Sequence, residues 1–137
     1  MSIPSTETIV EDLSFFDSWE ERYKYIIDLG RELPEIDAAL KTDERLVKGC
    51  QSNVWLAVDI AGERMQFAVD SDAHIVKGLL VLVLAAYHNK TAKEIVEFDI
   101  QSYFAEIDLE RHLSPTRGNG LRAIVAKIQQ LAKASLG

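Results

Sequence analysis

The sequence is short of cysteine, proline and long apolar runs, and each shortage excludes something. One cysteine, Cys50, rules out an intramolecular disulfide. Three prolines and seven glycines leave no low-complexity or linker-like stretch, and no internal repeat is visible. The longest uncharged apolar stretch runs from Gly78 to Tyr87, well short of the ~20 residues that a membrane-spanning helix needs. The opening Met1-Ser2-Ile3-Pro4-Ser5-Thr6-Glu7 has no basic segment leading into an apolar one, so no secretory leader is expected. Lys and Arg form no run, and 22 acidic against 15 basic residues leave a formal net charge of -7. Phosphate backbones call for a basic patch, so nucleic acid is not expected as a partner. An acidic surface favours solubility, or docking to a basic patch on another protein. These features describe a soluble protein of a reducing compartment, expected in the cytoplasm and away from membranes.

What is present suits an ordinary folded domain. The chain has 137 residues, of which 47% are hydrophobic and 27% charged. That length suggests one domain over 1–137 with a core that needs neither disulfide nor metal. Ile9, Val10, Leu13 and Phe16 give a weak helical face between about Thr6 and Phe16. Ser18 and Glu21 have capping-box spacing, opening a helix with Trp19, Tyr23, Ile26 and Ile27 on one face. Gly30 to Pro34 is expected to close it, and a short helical turn over Glu35 to Leu40 follows.

The middle of the chain changes period. Val54, Leu56, Val58 and Ile60 alternate with other residues as in a strand. Ala61-Gly62-Glu63-Arg64 reads as a turn, and Met65, Phe67 and Val69 resume the alternation, so a hairpin is expected. Leu46 and Val47 are candidates for a further strand. Asp72 offers an N-cap for a helix over about Ala73 to His88. That helix is apolar all round, which places it in the centre of the fold. Thr91 with Glu94 marks another capping box before a helix to about Phe98, and Ile100 to Ile107 suggests one more. Pro115 after Ser114 starts a last amphipathic helix striped by Leu121, Ile124, Val125, Ile128 and Leu131. The expected class is α+β: a small antiparallel sheet of about three strands packed against several helices.

Cys50 lies in Gly49-Cys50-Gln51-Ser52-Asn53, a short polar loop between strand-like segments. A glycine there lets the backbone turn or approach a partner closely. Two readings compete. The cysteine is a small buried hydrophobe, or it is a reactive thiol presented to another molecule. If it reacts, zinc binding lacks the other ligands, and disulfide exchange lacks a resolving thiol. A cysteine hydrolase or transferase needs a histidine base. His74, His88 and His112 are the candidates, and the sequence brings none of them to Cys50. Covalent carriage of a group needs only one accessible thiol and a protein partner, which fits the cysteine count.

The stretch Leu46-Val47-Lys48-Gly49-Cys50-Gln51-Ser52-Asn53-Val54-Trp55-Leu56 closely resembles the signature of the SufE family, the sulfur-acceptor proteins of cysteine desulfurases. Further blocks match in the same order. They are Trp19 to Tyr23 with Leu29-Gly30 and Leu33-Pro34, then Asp70-Ser71-Asp72-Ala73 running into Ile75 to Leu79. Ile95-Val96 with Phe98-Asp99 follows, and last His112 to Arg117 with Gly120-Leu121.

The resemblance implies an α+β fold similar to the IscU-type scaffold proteins, and a function. A partner desulfurase, which holds the pyridoxal phosphate, forms a persulfide from L-cysteine. Cys50 accepts the outer sulfur, stimulates the desulfurase, and delivers the sulfur to an iron–sulfur scaffold of the SufB kind in a SufBCD complex. The chain itself is then not an enzyme, and needs no cofactor or metal. Gln51-Ser52 points to a SufS-type desulfurase; a CsdE-type paralogue serving another desulfurase is the alternative, and a homodimer stays open. Val54, Trp55 and Leu56 are candidates for an apolar shelter around a bound sulfur. With only Arg45 and Lys48 nearby in sequence, activation of the thiol is expected from the partner. Gly49, Gln51, Ser52, Asp70, Asp72 and Arg117 are candidate partner contacts. Asp70 and Asp72 would form an acidic docking edge, Asp72 doubling as helix cap, and Arg117 would join an internal or partner ion pair. His112 is expected to pack at a helix end.

Overall fold

The computed structural model describes residues 3–137; Met1 and Ser2, the start of the segment read for a leader, lie outside the described residues. Helices and one hairpin arise where the local patterns place them. Helix α1 spans Thr6–Ser14, capped by Ser5, and buries Ile9 and Leu13. Helix α2 spans Trp19–Arg31, and the Ser18 hydroxyl accepts from the Glu21 amide. It ends at Arg31, inside the Gly30-to-Pro34 stretch expected to close it, and one residue beyond Gly30. That glycine stays helical and is buried, because α2 crosses the central helix there with no side chain between the backbones. Two short 3-10 turns, Ala38–Leu40 and Asp43–Arg45, carry the chain to the cysteine loop.

Strands β1 (Val54–Ala61) and β2 (Arg64–Ser71) pair antiparallel from Val54 opposite Ser71 to Ala61 opposite Arg64. Gly62, at φ +65, takes the left-handed position of the two-residue turn. The apolar alternation of β1 outruns its cover: Val54 and Leu56 are buried, whereas Val58 and Ile60 are exposed. The third strand is β3, Lys90–Thr91, on the far side of β2. Leu46 and Val47 do not form it. They make an isolated bridge to Trp55 and one backbone bond from Val47 N to Val54 O, because the chain turns away at Gly49.

Helix α3, His74–Tyr87, is the centre of the molecule, with Val76 and Gly78 through Tyr87 buried. Helices α1 and α2, strand β2, and two later helices, α4 (Ala92–Glu97) and α6 (Pro115–Leu136), all pack on it. Both halves of the Thr91–Glu94 capping box are present at the start of α4. Helix α5, Ile100–Glu106, follows it. Ser114 caps α6, with Pro115 in its first turn. Leu121, Ile124 and Ile128 of α6 are buried, and Val125 and Leu131 flank them half-covered. The buried apolar residues form one continuous cluster. Over the described residues the fold is α+β, a three-stranded antiparallel sheet against six α-helices. Among the described residues no helix is long and apolar enough to cross a membrane.

Candidate functional site: a half-buried thiol on helix α6

Cys50 sits on the corner between the Leu46 bridge and the start of β1. Gly49 adopts φ +96, a left-handed turn that L side chains rarely take. It also lies close to α6: a Cβ on Gly49 would stand 3.2 Å from the Ala123 Cβ. This turn aims the Cys50 side chain inward. Its Sγ lies 3.5 Å from the carbonyl oxygen of Gly120, which accepts from the thiol. Around the sulfur is a cavity of about 50 Å³. Val54, Val76, Leu79, Leu121 and Ile124 form its apolar walls. Gln51, Ser52, Ser114, Thr116 and Arg117 form a polar rim.

Burial pushes the Cys50 thiol pKa up. Among the described residues its one hydrogen-bond partner is a carbonyl, which accepts from the thiol and cannot stabilise a thiolate. The resting site therefore holds a protonated, weakly nucleophilic thiol. Cys50 is half-buried, neither the sealed small hydrophobe of the first reading nor a freely exposed thiol.

The sequence candidates divide. Gly49 makes the turn, and Gln51 and Ser52 line the rim. Arg117 lines the same rim, and among the described residues its guanidinium has no ion pair, so the internal pair expected for it is not formed. Asp72 does not cap α3. The helix begins at His74 with Ala73 as its N-cap, and the Asp72 carboxylate is taken by the Asn53 amide at 3.1 Å. Asp72 N in turn donates to Asn53 O, so the residue clasps the end of the cysteine loop to the end of β2. The Ser71 hydroxyl accepts from the Ala73 amide instead.

Asp70 offers no free acidic edge. It is buried and salt-bridged to Lys41 at 2.7 Å and Lys77 at 3.4 Å. Burial would raise its carboxyl pKa, but the Lys41 bond, the Ser71 amide and both lysine charges outweigh it and hold the pKa below the usual range. The shelter is built differently from the expected one. Val54 belongs to it, while Trp55 stands outside with Lys41 over its ring and Leu56 is core.

No histidine reaches the thiol pocket. His74 is exposed at the start of α3. His88 Nδ1 accepts from the Phe67 amide at 3.0 Å. His112 stacks on Trp19 with ring centroids 4.0 Å apart, the packing role expected of it. A Cys–His pair is therefore not assembled. Among the described residues no three His, Cys, Asp or Glu side chains group as a metal site would require. The sequence reading missed the α3 and α6 walls and the Gly120 carbonyl. Gly120, a glycine inside an otherwise regular helix, was the available signal that another part of the chain packs there.

The family model described as SufE, Fe-S metabolism associated domain, matches residues 7–132. An uncharacterized SufE-like protein of Rhizobium etli is 45% identical over 133 residues, covering 94% of this chain and 90% of its own. Another, from Rhizobium meliloti, is 42% identical over 136 residues, covering 96% and 97%. The solution structure of a hypothetical protein from Thermus thermophilus superposes with a TM-score of 0.77. It covers 99% of this chain and 98% of its own at 18% identity, so it speaks for the fold alone. The family match over nearly the whole length, joined to these relatives, places the chain in the SufE family, whose domain is associated with iron–sulfur metabolism.

Proposed function

We propose that the protein carries sulfane sulfur on Cys50, from a pyridoxal-phosphate cysteine desulfurase to an iron–sulfur scaffold. The Cys50 thiolate attacks the outer sulfur of the donor's persulfide. A new S–S bond forms on Cys50, the donor's S–S bond breaks, and the donor cysteine leaves as thiolate, so no oxidant is needed. Delivery repeats the step with Cys50 as donor. The pyridoxal phosphate stays with the desulfurase, and this chain contributes the thiol.

The observation that carries the reading is the chain's one cysteine at the mouth of an apolar cavity, with no base beside it. A hydrolase needs a base in place. A carrier benefits from its absence, because a thiol kept protonated until it docks does not react astray. Arg117 and the polar Gln51 and Ser52 on the rim are suited to meet the donor.

The test is to incubate the protein with SufS-type and other candidate desulfurases and L-cysteine, then weigh the peptide holding Cys50. One added sulfur atom, lost on reduction, is expected. Cys50→Ser is expected to abolish stimulation of the desulfurase while docking persists. Full stimulation by that variant would refute the carrier reading.

A further inference from the structure

We infer that Gly120 is a size gate: its missing side chain leaves the thiol cavity room for one added sulfur atom. The inference rests on the carrier reading and names what lets the pocket store cargo. A Cβ built on Gly120 meets three nearest atoms, all of Cys50: Sγ at 3.6 Å, Cα at 3.8 Å and Cβ at 3.9 Å. These are ordinary contact distances, so alanine fits beside the bare thiol. It does so by filling the space next to the sulfur.

The cavity measures about 50 Å³, where a water-sized occupant needs roughly 10–15 Å³ by the same kind of measure. One extra sulfur, bonded about 2 Å from Sγ as in a disulfide, fits within that space. A methyl group and a sulfur compete for it. Val54, Val76, Leu79, Leu121 and Ile124 give the added sulfur apolar neighbours.

Nothing in α6 itself asks for this glycine. Position 120 lies inside the helix at an ordinary φ, where alanine is the better residue by propensity. Gly118, two residues earlier, provides the control. A Cβ there nears only the flexible guanidinium of Arg122, at 3.6 to 3.9 Å, and leaves Cys50 untouched.

The experiment compares wild type, Gly118→Ala, Gly120→Ala and Gly120→Ala/Ile124→Ala, the last reopening the cavity one turn further along the same helix. Each is loaded by a desulfurase and L-cysteine, freed of the desulfurase, and timed for loss of the Cys50 persulfide to dithiothreitol. The unloaded proteins are alkylated with iodoacetamide in parallel. Gly120→Ala is expected to be alkylated like wild type, yet to lose its persulfide about tenfold faster, the scale of an overpacked cavity. The double variant is expected to regain lifetime, and Gly118→Ala to match wild type. Equal persulfide lifetimes in wild type and Gly120→Ala would overturn the gate and leave the carrier standing. A wild type that takes up no sulfur would overturn the carrier reading itself.

Discussion

Replacing Gly78 by alanine is the sharpest stability test the fold offers. Helices α2 and α3 cross where Gly30 meets Gly78. A Cβ on Gly78 would collide with the Ile26 carbonyl oxygen and stand 2.6 Å from Ile26 Cγ2 and 2.7 Å from the Ile26 carbonyl carbon. Two of these three atoms are backbone, so the clash cannot be relieved by a rotamer change. Overpacking of this kind costs about 1–3 kcal/mol, and a rigid opponent puts it at the top of that range. Helix propensity returns about 1 kcal/mol, because alanine outranks glycine inside a helix. The expected net loss is about 2 kcal/mol, or on the order of 10 °C in Tm for a domain of this size. Gly118→Ala supplies the opposite sign, since propensity then acts with nothing opposing it. Thermal unfolding followed by far-ultraviolet circular dichroism reads both. A Gly78→Ala protein as stable as wild type would refute the close crossing, and with it the account of why α2 carries a glycine in its last turn.

The ionisable groups set three more expected outcomes. Burial raises the Cys50 thiol pKa, so its iodoacetamide reaction is expected to be slow at pH 7 and to have a midpoint above the ~8.5 of a free cysteine. A midpoint below that value would mean a thiolate-stabilising neighbour. Burial also lowers the pKa of His88, whose Nδ1 accepts from Phe67 N. Its neutral form is the one that folds, so stability present above pH ~6.5 is lost as pH falls towards the lower folded value. His88→Gln is expected to remove that part of the decline in urea midpoints measured between about pH 7.5 and 5.5. Asp70, held low by two lysines, contributes stability above pH ~4 that disappears as pH drops through its folded pKa. Asp70→Asn is expected to destabilise at pH 7 and to flatten the acid limb; an unchanged limb would show that another carboxylate governs it.

Much of the secondary structure was legible because its causes are local. The hydroxyls of Ser18, Thr91 and Ser114 cap the helices that their spacing announces, and Gly62 turns the hairpin where the alternation breaks. The all-round apolar run from Gly78 to Tyr87 could be stable only inside, and there it lies. The cysteine loop, too, stood out by its polar residues and its glycine.

Other features depend on partners far apart in the chain. Asp72 reads as a helix cap, but the Asn53 amide, brought alongside by the hairpin, takes its carboxylate. Asp70 reads as a docking charge until Lys41 folds over the sheet onto it. A third strand is more readily sought in Leu46-Val47 than in Lys90-Thr91, two residues that become a strand only because β2 has a free edge beside them. From the sequence alone came a lone thiol on a turning corner and the elements around it. Whether that thiol faced solvent, a base or a cavity was decided by α6, whose Gly120 carbonyl meets Cys50 across 70 positions of chain. Local periodicity and capping are set by neighbours a few residues away, whereas the environment of a side chain is set by how whole helices pack.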